Sequence, residues 1–357
     1  MTVAGAAVAA YGLPSAHSLE HADRSEFGAL LAECERERLT GLLARAVRDG
    51  QVVVTDDERD ELEGVFRSWL THALRVEQLV LEVTSELDRA GIDTRVLKGV
   101  ALSHTAYPDP SDRVFGDVDL LVPGHELRRA AEVLGRRFDA PRAQPELRPG
   151  FDDRFGKEVM LRVHRIEVDL HRTFVEGAYG LTVQLDDLFA PPYRFPLGGH
   201  EFDALPQPQR LLHACYAAAL GDWPPRLMSL RDVAQLLLKE QPHIVDVLTM
   251  ARRWRAEAVV ARAVVTAWEV LALTQRPPIV NWAFNYTPGR TDRMLLAAHE
   301  GPARAFTRHA AAIVVLTDME ARLAYLRAIM FPQRSYLEAR GLSVGAHAQR
   351  AWRRIVG

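Results

Sequence analysis

The run RVFGDVDLLV, from Arg113 to Val122, places Asp117 and Asp119 one residue apart inside an apolar stretch. Side chains alternate along a strand, so Val118 and Leu120 share one face and the two aspartates the other. Two residues at about 3.3 Å of rise put the carboxylates roughly 7 Å apart. Like charges that close raise each other's pKa and cost stability unless a cation lies between them. The pair therefore marks either a solvated strand end or a place built to hold metal. A third carboxylate comes from RIEVDLHRTF, where alternation groups Glu167, Asp169 and His171 against Val168 and Leu170. Three carboxylates from two adjacent strands can hold two divalent ions about 3.5–4 Å apart and clamp an in-line phosphoryl displacement. Hard oxygen ligands of this kind suit Mg²⁺ or Mn²⁺. Ahead of both strands, TRVLKG reads as a short strand ending in Lys98 and Gly99 and running into a helix. Glycine at such a turn lets backbone N–H groups approach a triphosphate, helped by the positive end of the helix.

These residues need elements to position them, and the chain divides into three zones. Residues 1–93 read as helical. FGALLAECERERLTGLLARAVRDG has apolar residues at helical spacing and ends on Gly50, and Thr55 with Glu58 forms a capping box ahead of a long helix that stops at Gly91. Leu62, Phe66, Leu70, Leu74, Leu81 and Leu87 form its expected buried stripe. Residues 94–206 read as strand, helix, strand, helix and then one or two strands over EVMLRVHRIEVDLHRTF, which makes a small mixed sheet. Residues 207–357 return to Ala-rich helices separated by the proline-containing breaks WPPR, EQPHI and QRPPI.

Composition narrows the function classes. The chain has 357 residues, 48% hydrophobic and 25% charged, as an ordinary globular protein does. A formal net charge of -3 gives no general attraction to nucleic acid. Cys34 and Cys215, distant in sequence, form no metal-ligand spacing and read as reduced, buried residues of a cytoplasmic protein. The start, MTVAGAAVAAYGLPSA, lacks the basic segment of a signal peptide, and no apolar run is long enough to span a membrane. Walker, dinucleotide-binding and serine-hydrolase motifs are absent.

The segments VLKGVAL, YPDPSDRVFGDVDLLVP and VDLHRTF, continued in RLLHACYAAALGDWPPRLMSLRDVAQLL and RLAYLRAIMFP, resemble the nucleotidyltransferase superfamily with the DNA-polymerase-β-like core. The nearer resemblance is to the bacterial group known as uncharacterised nucleotidyltransferases. It implies an α+β fold, helix-dominated overall, with a small mixed-sheet nucleotidyltransferase core flanked by N-terminal and C-terminal helical domains. It implies that Asp117, Asp119 and Asp169 are the catalytic acids and the ligands of two Mg²⁺ or Mn²⁺ ions. Lys98 and Gly99 then fall at the phosphate turn. The wider superfamily has a serine directly after that glycine; here Val100 and Ala101 follow, and Ser103 is the nearest hydroxyl. The implied reaction moves a nucleoside monophosphate from a nucleoside triphosphate to an acceptor, with release of pyrophosphate. A small molecule or a peptide ranks as acceptor ahead of a tRNA, as in toxin-type relatives.

Each candidate has a plainer reading. Arg113, just ahead of the metal strand, is a phosphate or acceptor contact if its loop folds over the nucleotide, and otherwise a surface arginine or half of an ion pair. Asp232, an acid on an apolar helix, is a pocket residue or an arginine's partner. Glu167 is the runner-up for the third carboxylate, and His171 a site residue or a hydrogen-bonded structural histidine. His104, Asp109, Asp112 and Lys157 are rim candidates, and Trp223 with Arg226 form a turn that could face the cleft. Two other classes stay open. A catalytically silent binding protein of this fold would have no reason to keep mutually repelling acids, although the missing serine favours it. A phosphatase or nuclease using the same acids would cleave without an acceptor.

Overall fold

Val118, Leu120, Val168 and Leu170 have no exposed surface, and the strands that carry them lie side by side within a six-stranded sheet of order β3-β4-β2-β1-β6-β5. The computed structural model describes residues 1–14, 27–301 and 304–341; residues 342–357 of the expected third zone lie outside the described residues, as do residues 15 and 16 of the opening segment. The strands are β1 (Arg95–Val96), β2 (Val118–Leu121), β3 (Glu158–Val163), β4 (Ile166–His171), β5 (Tyr193–Leu197) and β6 (His200–Ala204). β2 pairs with β4 and β1 with β6 in parallel, and the other neighbours are antiparallel. EVMLRVHRIEVDLHRTF is thus two strands, reversed by His164 and Arg165 at φ of 49° and 68°. A second hairpin, absent from the reading of the sequence, turns on Gly198 and Gly199, both left-handed. Two residues with positive φ between antiparallel strands match the strands' twist, which is why glycine suits the turn.

The N-terminal helices are α1 (Val3–Ala10), α2 (Phe27–Arg36), α3 (Thr40–Arg48) and α4 (Asp56–Arg89), and α5 (Lys98–Thr105) and α6 (Leu127–Phe138) flank the strands. The helical run expected from Phe27 to Gly50 forms two helices, broken at Arg38, whose φ is 62°. The break lets α3 approach residues 110–112 so closely that a Cβ on Gly41 would lie 2.0 Å from the Ser111 carbonyl oxygen. The Thr55–Glu58 capping box starts α4 as expected. The buried stripe of α4 differs from the expected one: Leu74 is 66% exposed, while Val76, Leu79, Val80 and Val83 go inside.

Two cores result, and the long helix joins them. The C-terminal half of α4 and α6 pack on the apolar side of the sheet against Val118, Leu120, Leu161 and Val168. The other core runs from α1, α2 and α3 through Leu97, Leu121 and Phe174 into the C-terminal helices with Trp254 and Trp268. The three zones therefore share their interiors. Arg231, fully inside helix Leu227–Gln235, donates to the Ala9 and Tyr11 carbonyls and to Gln235, tying the first helix to the C-terminal ones. Cys34 and Cys215 are free and buried, as expected. Among the described residues no helix is long and apolar enough to cross a membrane.

Candidate active site

The parallel pairing of β2 with β4 sets Asp119 opposite Asp169 and Leu121 opposite His171. The β3–β4 hairpin sets Glu158 opposite His171 and Met160 opposite Asp169. Alternation therefore brings Asp119, Asp169, His171 and Glu158 to one side of the sheet, away from the α4–α6 core. One ligand atom from each of Asp119, Asp169 and His171 lies within 4.8 Å of the other two, the one such group among the described residues.

Charges alternate through the site. Lys98, at the start of α5, holds its Nζ 3.4 Å from Asp119 Oδ1. His171 Nε2 lies 2.7 Å from that same oxygen, and its Nδ1 lies 3.1 Å from Glu158 Oε2. Lys157 closes the series with Nζ 2.6 Å from Glu158 Oε2. An ionised carboxylate only accepts, so the Nε2 contact carries the proton on the imidazole. Burial opposes the charge on Asp119, but Lys98 and His171 outweigh it and hold the carboxyl well below the usual range. Asp169 forms no ion pair among the described residues, and the pull of Lys157 on it is outweighed. Burial, then Glu158 and Asp119, push its carboxyl up to about 8. Burial also opposes the charge on Lys98, yet Asp119, Asp117 and Glu158 raise its pKa. Paired acids driven apart in this way are the mark of a site with divided roles.

Metal fits these residues on an independent ground. Asp119 Oδ2 and Asp169 Oδ1 are both buried with no hydrogen-bond partner among the described residues. Leaving such oxygens unpaired costs about 1–3 kcal/mol each, more when charged, and a cation accepted by both removes that cost.

The remaining predicted residues divide sharply. Asp117 precedes the first residue of β2, is half-buried, and has Oδ1 3.4 Å from Arg38 Nη1; it lies outside the group of three. Gly99 is the second residue of α5, whose N-cap Leu97 makes no side-chain cap. A Cβ there would lie 3.1 Å from Phe115 Cβ, so glycine also serves the close packing of this turn. Ser103 is fully buried, and its hydroxyl donates to the Val100 carbonyl, so it faces the core and not the turn. Of the readings of Arg113, the structure shows the ion pair: it is buried, and its Nε and Nη2 donate to Asp232 at 2.8 and 2.7 Å. Asp232 is accordingly an arginine's partner, shared with the Tyr107 hydroxyl. The third donor of Arg113, Nη1, lies 3.3 Å from the Gly99 carbonyl oxygen. The arginine thus braces the turn from behind. Glu167 pairs with Arg162 at 2.9 Å on the exposed end of the hairpin.

Of the rim candidates, Lys157 joins the site, whereas His104 meets Glu77 and the buried Asp112 meets Arg45. Asp109 caps the turn at Ser111. Trp223 is exposed under Arg262, and Arg226 pairs with Asp222. Glu158 and Arg38 escaped the sequence reading. The hairpin register would have exposed Glu158, but a turn of His164 and Arg165 carries no glycine or asparagine to signal it.

Residues 23–272 match a family described as uncharacterised nucleotidyltransferase. No curated protein and no solved structure matches the sequence. The matched span takes in all six strands and every acid of the site. It covers well over half of the 357 residues, and the chain belongs to this nucleotidyltransferase family, as an enzyme of that type.

Proposed function

We propose that the enzyme transfers a nucleoside monophosphate from a nucleoside triphosphate to a small molecule or a peptide in the cytoplasm, with pyrophosphate leaving. The observation that carries this reading is the pairing of Asp119 with Asp169, each with a buried oxygen that lacks a hydrogen-bond partner among the described residues. Asp117, Asp119 and Asp169 would hold two divalent ions, Mg²⁺ or Mn²⁺. When bound, such ions neutralise phosphate charge and lower the pKa of an attacking hydroxyl. The chain's own residues have separate tasks. His171 and Lys98 keep Asp119 ionised and fix its orientation. Asp169, once a bound ion has displaced its own proton, would take or orient the proton of the acceptor's attacking group, the base role of the third carboxylate. Lys98 and the first N–H groups of α5 supply positive potential for the phosphates. The buried, reduced Cys34 and Cys215 accord with the proposed compartment.

The test is transfer of label from [α-³²P]nucleoside triphosphates into cell extract, with Mg²⁺ or Mn²⁺ present or chelated. Wild type should label a component of the extract, and Asp119→Asn and Asp169→Asn should not. Release of free monophosphate without a labelled acceptor would replace transfer by hydrolysis.

A further inference from the structure

His171 ends β4 and is 1% exposed. Its place along the strand sets it on the same side as Asp169, and the β3–β4 register sets Glu158 beside it. Among the described residues it is the one histidine that joins two acids in a group compact enough for a metal, with ligand atoms within 4.8 Å of one another. Two ligands on opposite sides of an ion, each about 2.2 Å from it, lie about 4.4 Å apart. Asp119, Asp169 and His171 can therefore meet one ion with little movement.

The two ring nitrogens have different surroundings. Nε2 lies 2.7 Å from Asp119 Oδ1, close to the separation of about 3 Å between neighbouring ligand atoms on an octahedral ion. Nδ1 lies 3.1 Å from Glu158 Oε2, but neither of those two atoms has an aligned hydrogen bond among the described residues. A buried imidazole that serves structure alone ordinarily satisfies both nitrogens. This one satisfies Nε2 alone, and does so on an acid whose other oxygen, Oδ2, is still open, as is Asp169 Oδ1. A histidine that binds a metal characteristically turns its second ring nitrogen, as N–H, toward a carboxylate, which fixes the tautomer and the ring. Glu158 stands where that acceptor belongs, and Lys157, with Nζ 2.6 Å from the same Oε2, supports its ionised form.

We propose that His171 is itself a metal ligand, binding through Nε2 the ion that Asp119 and Asp169 share, with Glu158 as the positioning residue that accepts from its Nδ1–H. The inference rests on the nucleotidyl-transfer reading and adds an imidazole to the carboxylate ligands of one ion. The proton that Nε2 directs at Asp119 in the metal-free site passes to Nδ1, so the ring changes tautomer and its proton count stays the same. Mg²⁺ takes oxygen ligands and keeps several waters, whereas imidazole suits first-row transition ions. Two carboxylates and an imidazole therefore shift this position away from Mg²⁺ and toward an ion such as Mn²⁺.

The experiment uses the full chain, with Mn²⁺ and Mg²⁺ as probes. Pulsed EPR of the protein with one equivalent of Mn²⁺, prepared with ordinary and with ¹⁵N-labelled histidine, reads directly whether a histidine nitrogen is bound to the ion. Titration calorimetry gives the affinity for each ion in wild type, His171→Gln and Glu158→Gln. Wild type should show the nitrogen coupling and bind Mn²⁺ at least about tenfold more tightly than Mg²⁺. H171Q keeps an N–H for Asp119 but has no imidazole nitrogen; it should lose the coupling and most of the preference for Mn²⁺. E158Q should keep the coupling and bind Mn²⁺ about tenfold or more weakly. Mn²⁺ bound without a histidine coupling overturns the proposal and leaves a site of carboxylates alone. A coupling that persists in H171Q, or a preference for Mn²⁺ unchanged in it, overturns the proposal too, and unchanged affinity in E158Q removes Glu158 from it. Should H171Q fail to fold, the isotope comparison in wild type and E158Q decides: coupling supports the ligand, and its absence refutes it. If wild type binds neither ion, alone or with a mixture of the four α,β-methylene nucleoside triphosphates, the nucleotidyl-transfer reading falls and takes this inference with it, an outcome distinct from all of these.

Discussion

Proton and metal should compete for Asp169. Its carboxyl, raised to about 8 by burial and by the charges of Glu158 and Asp119, is mostly protonated at pH 6 and half ionised near pH 8. A divalent ion needs the ionised form. With one proton displaced, apparent affinity scales with the ionised fraction, so it should rise roughly fiftyfold from pH 6 to pH 8, about 2.3 kcal/mol. The same shift fixes the sign of the metal-free stability. A carboxyl whose folded pKa exceeds its unfolded value binds the proton more tightly when folded, so this group's contribution is lost as pH rises from the ordinary carboxylate range through about 8. Metal-free protein should thus lose melting temperature over that interval, and Mn²⁺ or Mg²⁺ should restore more of it at pH 8 than at pH 6. Calorimetric titration with Mn²⁺ at pH 6, 7 and 8, in buffers of different ionisation enthalpy, reads both affinity and the proton released. Asp169→Asn should flatten the pH dependence of whatever binding remains. A wild-type affinity that is independent of pH over this range, with no proton released, would refute the assignment of Asp169 as the protonated acid of the site.

The two paired acids should respond oppositely to amide substitution in the metal-free protein. Asp169→Asn should raise the melting temperature because folding then no longer has to protonate or bury the charge of an acid that Glu158 and Asp119 disfavour, and Asp119→Asn should lower it because it takes the carboxylate away from Lys98 and His171; thermal melting in chelator at pH 7.5 reads both. Arg113→Ala should cost about 3–5 kcal/mol, since it leaves Asp232 buried without its cation, and denaturant titration should show the Arg113→Ala/Asp232→Ala double variant losing less than the sum of the single ones. Glu167→Gln, at a side chain 44% exposed and outside the group of three, should stay within about 0.5 kcal/mol of wild type and keep full transfer activity in the labelling assay.

Strand alternation made the two central acids legible. Val118, Leu120, Val168 and Leu170 announce buried strands, and acids at alternate positions must then share the opposite side. The partner of each acid is another matter, because register across a parallel pair depends on contacts that no local pattern encodes. The opposition of Asp119 to Asp169 rests on β2 and β4 lying side by side 50 residues apart. The hairpin of β5 and β6 was legible and was missed: Gly198 and Gly199 between YRFPL and HEFDA carry the turn signal. The break at Arg38 had no such signal, since nothing in ERERLT separates it from continuing helix. Arg113 shows the limit most plainly. An arginine beside a metal strand suits a phosphate equally well as a buried acid, and the acid that takes it lies 119 positions further along.

That long-range pair bears on why the family match extends through helices outside the sheet. The turn that carries Lys98 and Gly99 is held by the Gly99 carbonyl contact to Arg113, which Asp232 fixes from helix Leu227–Gln235. The same helix anchors α1 through Arg231, and Gln235 reaches the Ala106 carbonyl just past α5. Arg38, in the break between α2 and α3, reaches Asp117 ahead of β2. The chain is thus held from outside the sheet just after β1 and just ahead of β2, its two central strands. A sheet alone would place Asp119 and Asp169 together, because register suffices for that. The position of Lys98 relative to Asp119, and the orientation of Asp117, depend on helices contributed by both ends of the matched span from 23 to 272. The flanking helices therefore belong to the positioning of the site and not merely to the stability of the fold.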